Sequence, residues 1–376
     1  VRLKRSERAD DRQKEGGQAV PRTEKIIDSD AHVFEPQDIW LRYLDASLRE
    51  VVTSIPGLEN GNSTGNDGPT SRFPLGFIPE TGRQDLLQLA ADAETRLKVM
   101  DDEGIDRVAL FPTHALRLGG VRHPQLGPAL FRAYNNWLAE HCAPNKERLL
   151  GVAMIPLQEP ELAVKEAQRA VTELGHRGLF ISPHPVDNRN LDHPAYEPLW
   201  DIAEQLNVPA LVHVSTGIRL PTAGAERFDR YCLFHLHAHP MEQMTAAASL
   251  ILGGVLERHP RLRVGFMEAG CGWVPYWLER MDEHAENYRF ELPHLKERPS
   301  VYFRRQCFVS FELEERAVSY VAETVGAQTL VFASDFPHHD CFFPGAVEKI
   351  RRRADLDVAL VSAMLRDNPN RLYFGD

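Results

Sequence analysis

A (β/α)8 TIM barrel with a long insertion loop after its first strand and a flexible N-terminal arm is the fold this sequence predicts. Three observations predict it: eight short runs rich in β-branched residues recur along the chain, longer amphipathic segments separate them, and 376 residues suit one barrel carrying insertions. Such alternation is the pattern of repeated βα units on a parallel sheet.

Residues 1–24 are polar, carry charges of both signs and contain no apolar core region, so a disordered or loosely docked arm is expected there rather than a signal peptide or membrane anchor. The barrel is expected over residues 25–376, with strands at 25–30, 107–112, 149–156, 178–183, 208–214, 262–268, 306–312 and 329–335. Helices are expected in "DLLQLAADAETRLKVMDDEG", "PELAVKEAQRAVTELG" and "MEQMTAAASLILGGVLERHP"; the first two end at glycine, where a left-handed cap costs little. The Gly-, Asn- and Pro-rich stretch 54–82 reads as a long loop after the first strand, over the face where barrel enzymes keep their chemistry.

Composition narrows the ligand class. With 43% hydrophobic residues the chain can bury a full core, and no apolar run approaches the ~20 residues of a membrane span. A net charge of −11 argues against nucleic acid or an anionic membrane surface and for a small-molecule partner. Five cysteines without a CxxC pair suit a reducing compartment, with the cytoplasm as the default localisation. No phosphate loop, nucleophile elbow or dinucleotide fingerprint is present.

In a barrel, polar side chains at the C-terminal ends of strands carry the chemistry. Asp30 and His32 lie two apart at the end of the first strand and share a face. His213 ends the apolar run of the fifth, Glu268 ends the sixth, and Asp335 ends the eighth in "FASDFPHHD". Taken singly, each has a structural reading as turn chemistry or a satisfied core group; convergence of all five at strand ends is what a divalent metal demands. His239, expected just before a helix, and His338, three residues past Asp335, are further pocket candidates; His184, His235 and His237 are weaker ones. Arg72 and Arg83 in the long loop, with Arg117 and Arg122, are candidates to bind a substrate carboxylate. Trp273 and Trp277 read as packing on the barrel.

On "DAH", "LVHV", "LILGGVLERHPRLRVGFMEAG" and "FASDFPH", the chain from about residue 25 onward resembles the amidohydrolase superfamily. The similar branch includes aminocarboxymuconate-semialdehyde decarboxylase and the γ-resorcylate and 5-carboxyvanillate decarboxylases. The resemblance implies one divalent metal per chain, zinc or manganese, held by Asp30, His32, His213 and Asp335, and it allows a homodimer. It also implies nonoxidative decarboxylation of a small unsaturated or aromatic acid, with Asp335 or a nearby acid protonating carbon. Glu268 stands where those enzymes carry a histidine that acts as acid or base. That departure keeps open a hydrolase or hydratase in which Glu268 or Asp335 is the base toward metal-bound water, and, more remotely, a non-catalytic binding barrel.

Overall fold

Strands covered on both faces read as near-continuous apolar runs, because neither side meets water. The structure, a computed structural model, describes residues 25–36, 38–54, 84–90, 92–121, 123–215 and 220–375. Eight parallel strands follow one another around the sheet: β1 (Ile27–His32), β2 (Arg107–Phe111), β3 (Leu149–Met154), β4 (Gly178–Ile181), β5 (Ala210–His213), β6 (Val264–Met267), β7 (Cys307–Ser310) and β8 (Leu330–Val331). Backbone bonds close the ring, from Ser29 N to Phe332 O (2.9 Å), Asp335 N to Asp30 O (2.9 Å) and His32 N to Phe336 O (2.8 Å). The barrel is present as predicted. The expected N-terminal arm, residues 55–82 of the expected loop, and Arg72, Arg83 and Arg122 lie outside the described residues, as does the side chain of Arg117.

Principal helices of the outer layer are α1 (Ala93–Glu103), α2 (Leu126–Cys142), α3 (Pro160–Thr172), α4 (Glu197–Gln205), α5 (Tyr231–Leu252) and α6 (Trp273–Asn287). Below the site the barrel is filled rather than hollow. Leu211 is fully buried between two strand glycines: a Cβ on Gly178 would stand 2.6 Å from one of its methyls, and one on Gly265 2.8 Å from the other. Only glycine permits that approach. None of the described helices is long and apolar enough to cross a membrane.

Three local expectations are corrected. The single helix expected over 85–104 is two, Gln84–Leu89 and α1, because Asp92 leaves helical geometry and caps α1 by accepting from Thr95 N at 2.9 Å. β8 stops at Val331, where Phe332 N turns to Met364 O (3.0 Å), so Asp335 is delivered by the turn that follows the strand. The third correction bears on the site. His239 lies inside α5, which starts ten residues before the expected helix and carries Pro240 in its interior. The carbonyl that Pro240 deprives of a donor belongs to Leu236, a residue 70% exposed.

Candidate metal centre and active site

β1 brings Asp30 and His32 into the mouth of the barrel, both buried, and β5 brings His213. His32 Nδ1 donates to Pro112 O at 2.7 Å, and His213 Nδ1 to Val214 O at 2.7 Å. A carbonyl only accepts, so each ring keeps its Nε2 lone pair for the centre, the arrangement usual for a metal-ligating histidine. Gln243 of α5 fixes the two neighbouring strand ends by donating to Val212 O (2.9 Å) and Met267 O (2.7 Å).

Beyond β6, Glu268 turns into the mouth with φ 57°, and Asp335 does so with φ 54°. Left-handed backbone is costly for residues bearing a Cβ, and it recurs where function holds a side chain in place. Ser310 Oγ accepts from Glu268 N at 3.0 Å and steadies that turn. Glu315 holds the loop beyond it by accepting from the N–H groups of Cys271 and Gly272 at the start of α6.

The converging atoms are closely spaced. His32 Nε2 lies 3.5 Å from Asp30 Oδ1 and 3.2 Å from Asp335 Oδ1; His213 Nε2 lies 3.6 Å from Asp30 Oδ2 and 3.0 Å from Glu268 Oε2. Neighbouring ligands around a tetrahedral cation with bonds near 2.1 Å stand about 3.4 Å apart. Buried polar groups normally find hydrogen-bond partners, yet Asp30 Oδ1, His32 Nε2, His213 Nε2 and Asp335 Oδ1 have none. Two imidazole nitrogens and two carboxylate oxygens, orphaned and mutually within reach, fit a divalent cation.

Electrostatics point the same way. Burial, then the neighbouring carboxylates of Asp335, Glu268 and Asp28 against the pull of His213, push Asp30 well above its usual range. Burial disfavours charge on His213, but Glu268 and Asp30 outweigh it and push its pKa to about 9. The carboxylates therefore demand positive charge at this point. Burial and the neighbouring His338 push His32 down to about 4, leaving it neutral, as a ligand must be.

His338 stacks on His32 with ring centres 3.7 Å apart, and its Nδ1 lies 2.8 Å from Asp335 Oδ1 and 3.6 Å from Glu268 Oε1. Burial works against its charge, yet Asp335 and Glu268 hold its pKa well above the ordinary histidine value. Burial likewise opposes ionisation of Asp335 and Glu268; the imidazoles beside them prevail and keep both carboxyls below the usual range.

Asp30, Glu268 and Asp335 line a cavity of about 600 Å³, with His235, His239, Glu312 and Asp340 on its walls. No lysine or arginine lines it among the described residues. His184 sits elsewhere, its Nδ1 near Pro221 O and Glu242; His237 bonds Ala223 O. Trp273 and Trp277 donate to Gly270 O and Met244 O, in keeping with packing.

Residues the sequence reading passed over support this centre. Asp28 accepts from Ser334 N and Oγ, at 2.9 and 2.5 Å, tying β1 to the turn that carries Asp335. Glu35 accepts three backbone N–H groups, of Thr113, His114 and Ala115, and joins the loops after β1 and β2. Buried Arg96 of α1 donates to the carbonyls of His32 and Phe336, and its charge acts on Asp28. Its signal was its place on the apolar face of α1, spaced three and four residues from buried Ala93, Val99 and Met100.

Arg96→Met is accordingly expected to destabilise the protein by about 3–5 kcal/mol, since it strands two carbonyls and a buried carboxylate. Lysine recovers only part, for lack of the planar fork. Urea unfolding at equilibrium measures it, and a loss under about 1 kcal/mol would show that Arg96 is not the tie we take it for.

The chain matches the family described as Amidohydrolase over residues 27–375. It is 27% identical over 248 residues to 2-amino-3-carboxymuconate-6-semialdehyde decarboxylase of Dictyostelium discoideum, covering 65% of this chain and 67% of that one. It is 29% identical over 282 residues to γ-resorcylate decarboxylase of Rhizobium sp. (strain MTP-10005), covering 71% and 84%. Among solved structures, 5-carboxyvanillate decarboxylase of Novosphingobium aromaticivorans, with bound manganese and 3-methoxy-4-hydroxy-5-nitrobenzoic acid, superimposes with a TM-score of 0.72 at 19% identity, covering 94% and 98%.

Proposed function

The chain belongs to the amidohydrolase family, and from that premise we propose that it is a metal-dependent nonoxidative decarboxylase of a small aromatic or unsaturated carboxylic acid. The observation that carries the reading is the set of four buried, unpartnered ligand atoms of Asp30, His32, His213 and Asp335, of which the two carboxylates line the cavity. The names of the similar decarboxylases support loss of carbon dioxide over the hydrolytic alternative. The donor set suits zinc or manganese. Five free cysteines support a reducing, cytoplasmic setting.

Asp30, His32, His213 and Asp335 would hold the divalent cation, which would supply Lewis-acid positive charge beside the substrate. The protein's part is to orient the acid and to provide a proton. When the bond to the carboxylate carbon breaks, carbon dioxide leaves and the electron pair stays on the remaining carbon, which must be protonated. His338 holds that proton: Thr113 Oγ1 stands 3.2 Å from its Nε2, Asp335 Oδ1 lies 2.8 Å from its Nδ1, and Asp335 and Glu268 favour its charge. Asp335 then passes the proton to carbon.

The test is incubation of protein loaded with zinc or with manganese against a panel of hydroxybenzoates and carboxymuconate-type acids, following carbon dioxide and the remaining acid together. Release of carbon dioxide equal to acid consumed is expected from at least one substrate. Asp335→Asn should lower that rate by ~10²- to 10⁴-fold, the usual worth of positioned proton transfer. Cleavage of amides or esters, or hydration, with no carbon dioxide from any acid would overturn the assignment.

A further inference from the structure

We propose that the chain holds a second divalent cation, between His235 and His239 of α5, with Glu268 bridging it to the first. The proposal rests on the metal-centre reading above and extends it. His235 and His239 lie four residues apart and so on one face of a helix, a standard chelating spacing for paired imidazoles. Their rings stack with centres 4.0 Å apart and planes 28° from parallel. One ligand atom from each, and one from Glu268, all lie within 4.8 Å of one another. Drawing them to a common cation needs His235, whose side chain is 25% exposed, to turn out of its stack on His239.

His239 supplies the independent observation. Its Nδ1 donates to the backbone carbonyl of Glu268 at 2.5 Å, so Nε2 carries the lone pair. The residue is 5% exposed, and Nε2 has no hydrogen-bond partner. His32 and His213 are held in the same way, each anchored through Nδ1 to a carbonyl with Nε2 orphaned toward the first centre. A buried imidazole of that design on the wall of a metal-site cavity calls for an electrophile.

Glu268 gains a reason for its identity. A carboxylate offers one oxygen to each of two cations, whereas an imidazole anchored through one nitrogen offers a single donor. Its Oε2 already meets His213 at the first centre. Asp340 adds a further carboxylate, 3.8 Å from His235 Nε2. Charge points the same way: Asp30, Glu268, Glu312, Glu314, Glu315, Asp335 and Asp340 line the cavity with no described lysine or arginine among them, and a second divalent cation offsets more of that negative charge than one alone. Paired imidazoles with a carboxylate suit zinc, manganese or a similar transition ion.

The experiment is equilibrium dialysis of the full chain against manganese(II) over a range of free concentrations, with bound metal counted per chain by mass spectrometry. Wild type is expected to reach two ions per chain, and His239→Ala and His235→Ala to saturate at one, with far-UV circular dichroism confirming that each is folded. His239→Gln, which keeps volume, is a second variant should alanine fail to fold. Wild-type saturation at one ion, or two ions retained in a folded His239 variant, would overturn the second site while leaving the first standing. Saturation at zero would overturn both.

Discussion

Purified His213→Ala is expected to lose the cation bound at the ends of β1, β5 and β8, and turnover should fall to background while the barrel stays folded. His213 is one of four donors, and it is the one that also meets Glu268 at 3.0 Å. Substitutions merely behind a ligand typically cost 10- to 100-fold in metal affinity, so deleting a ligand costs more. The barrel survives because its filling lies beneath the site, around Leu211, and because Gln243 holds the ends of β5 and β6 through backbone carbonyls that the substitution leaves in place. Asp30→Ala should behave alike. A readout independent of catalysis is thermal unfolding with and without manganese: a ligand at a hundred times its dissociation constant stabilises by about 2.7 kcal/mol. Wild type should gain that stabilisation. Folded His213→Ala that retains the wild-type metal count and thermal shift would sink the assignment of this ligand.

Some of this centre was legible in the sequence because strands repeat every two residues. The spacing of Asp30 and His32, and the single histidine closing an apolar run at 213, are visible in the letters, and the structure brings both to one point. Glu268 and Asp335 were legible as neighbours of that point, though not as left-handed residues beyond their strands, since conformation past a strand end depends on contacts from elsewhere in the chain. Pro240 hid the pairing of His235 and His239. A proline commonly opens a helix, so its position suggested a start, yet α5 runs through it with exposed Leu236 one turn earlier. Arg96 was hidden by its type, because an arginine on a helix is usually solvated. Its partners are carbonyls on β1 and after β8, more than sixty residues away on either side, and no local pattern announces them.

Glu268→Gln is expected to leave the first cation in place, to bring the manganese count from two ions to one, and to lower kcat by roughly 10²-fold at neutral pH, the lower end of what positioned proton transfer contributes. Glutamine keeps the shape and one accepting oxygen but carries no charge. Asp30, His32, His213 and Asp335 are all retained, so the first centre persists, while the shared carboxylate is gone. The effect on turnover runs through His338, whose proton is favoured by Asp335 and Glu268 against the cost of burial. A nearby negative charge raises a histidine's pKa, so removing one lowers it, typically by a unit or more. The proton needed at carbon is then lost at a lower pH. The alkaline limb of the kcat profile should move toward acid, and the deficit should shrink as pH falls. KM should change less, because the interaction matters chiefly in the transition state. A carboxylate that merely packs would leave both the rate and the limb where they are, and a count of zero would show that the first centre cannot hold its cation on Asp30, His32, His213 and Asp335 alone. Unchanged kcat with an unmoved alkaline limb, measured beside metal content on the same preparation, would remove Glu268 from the proton path.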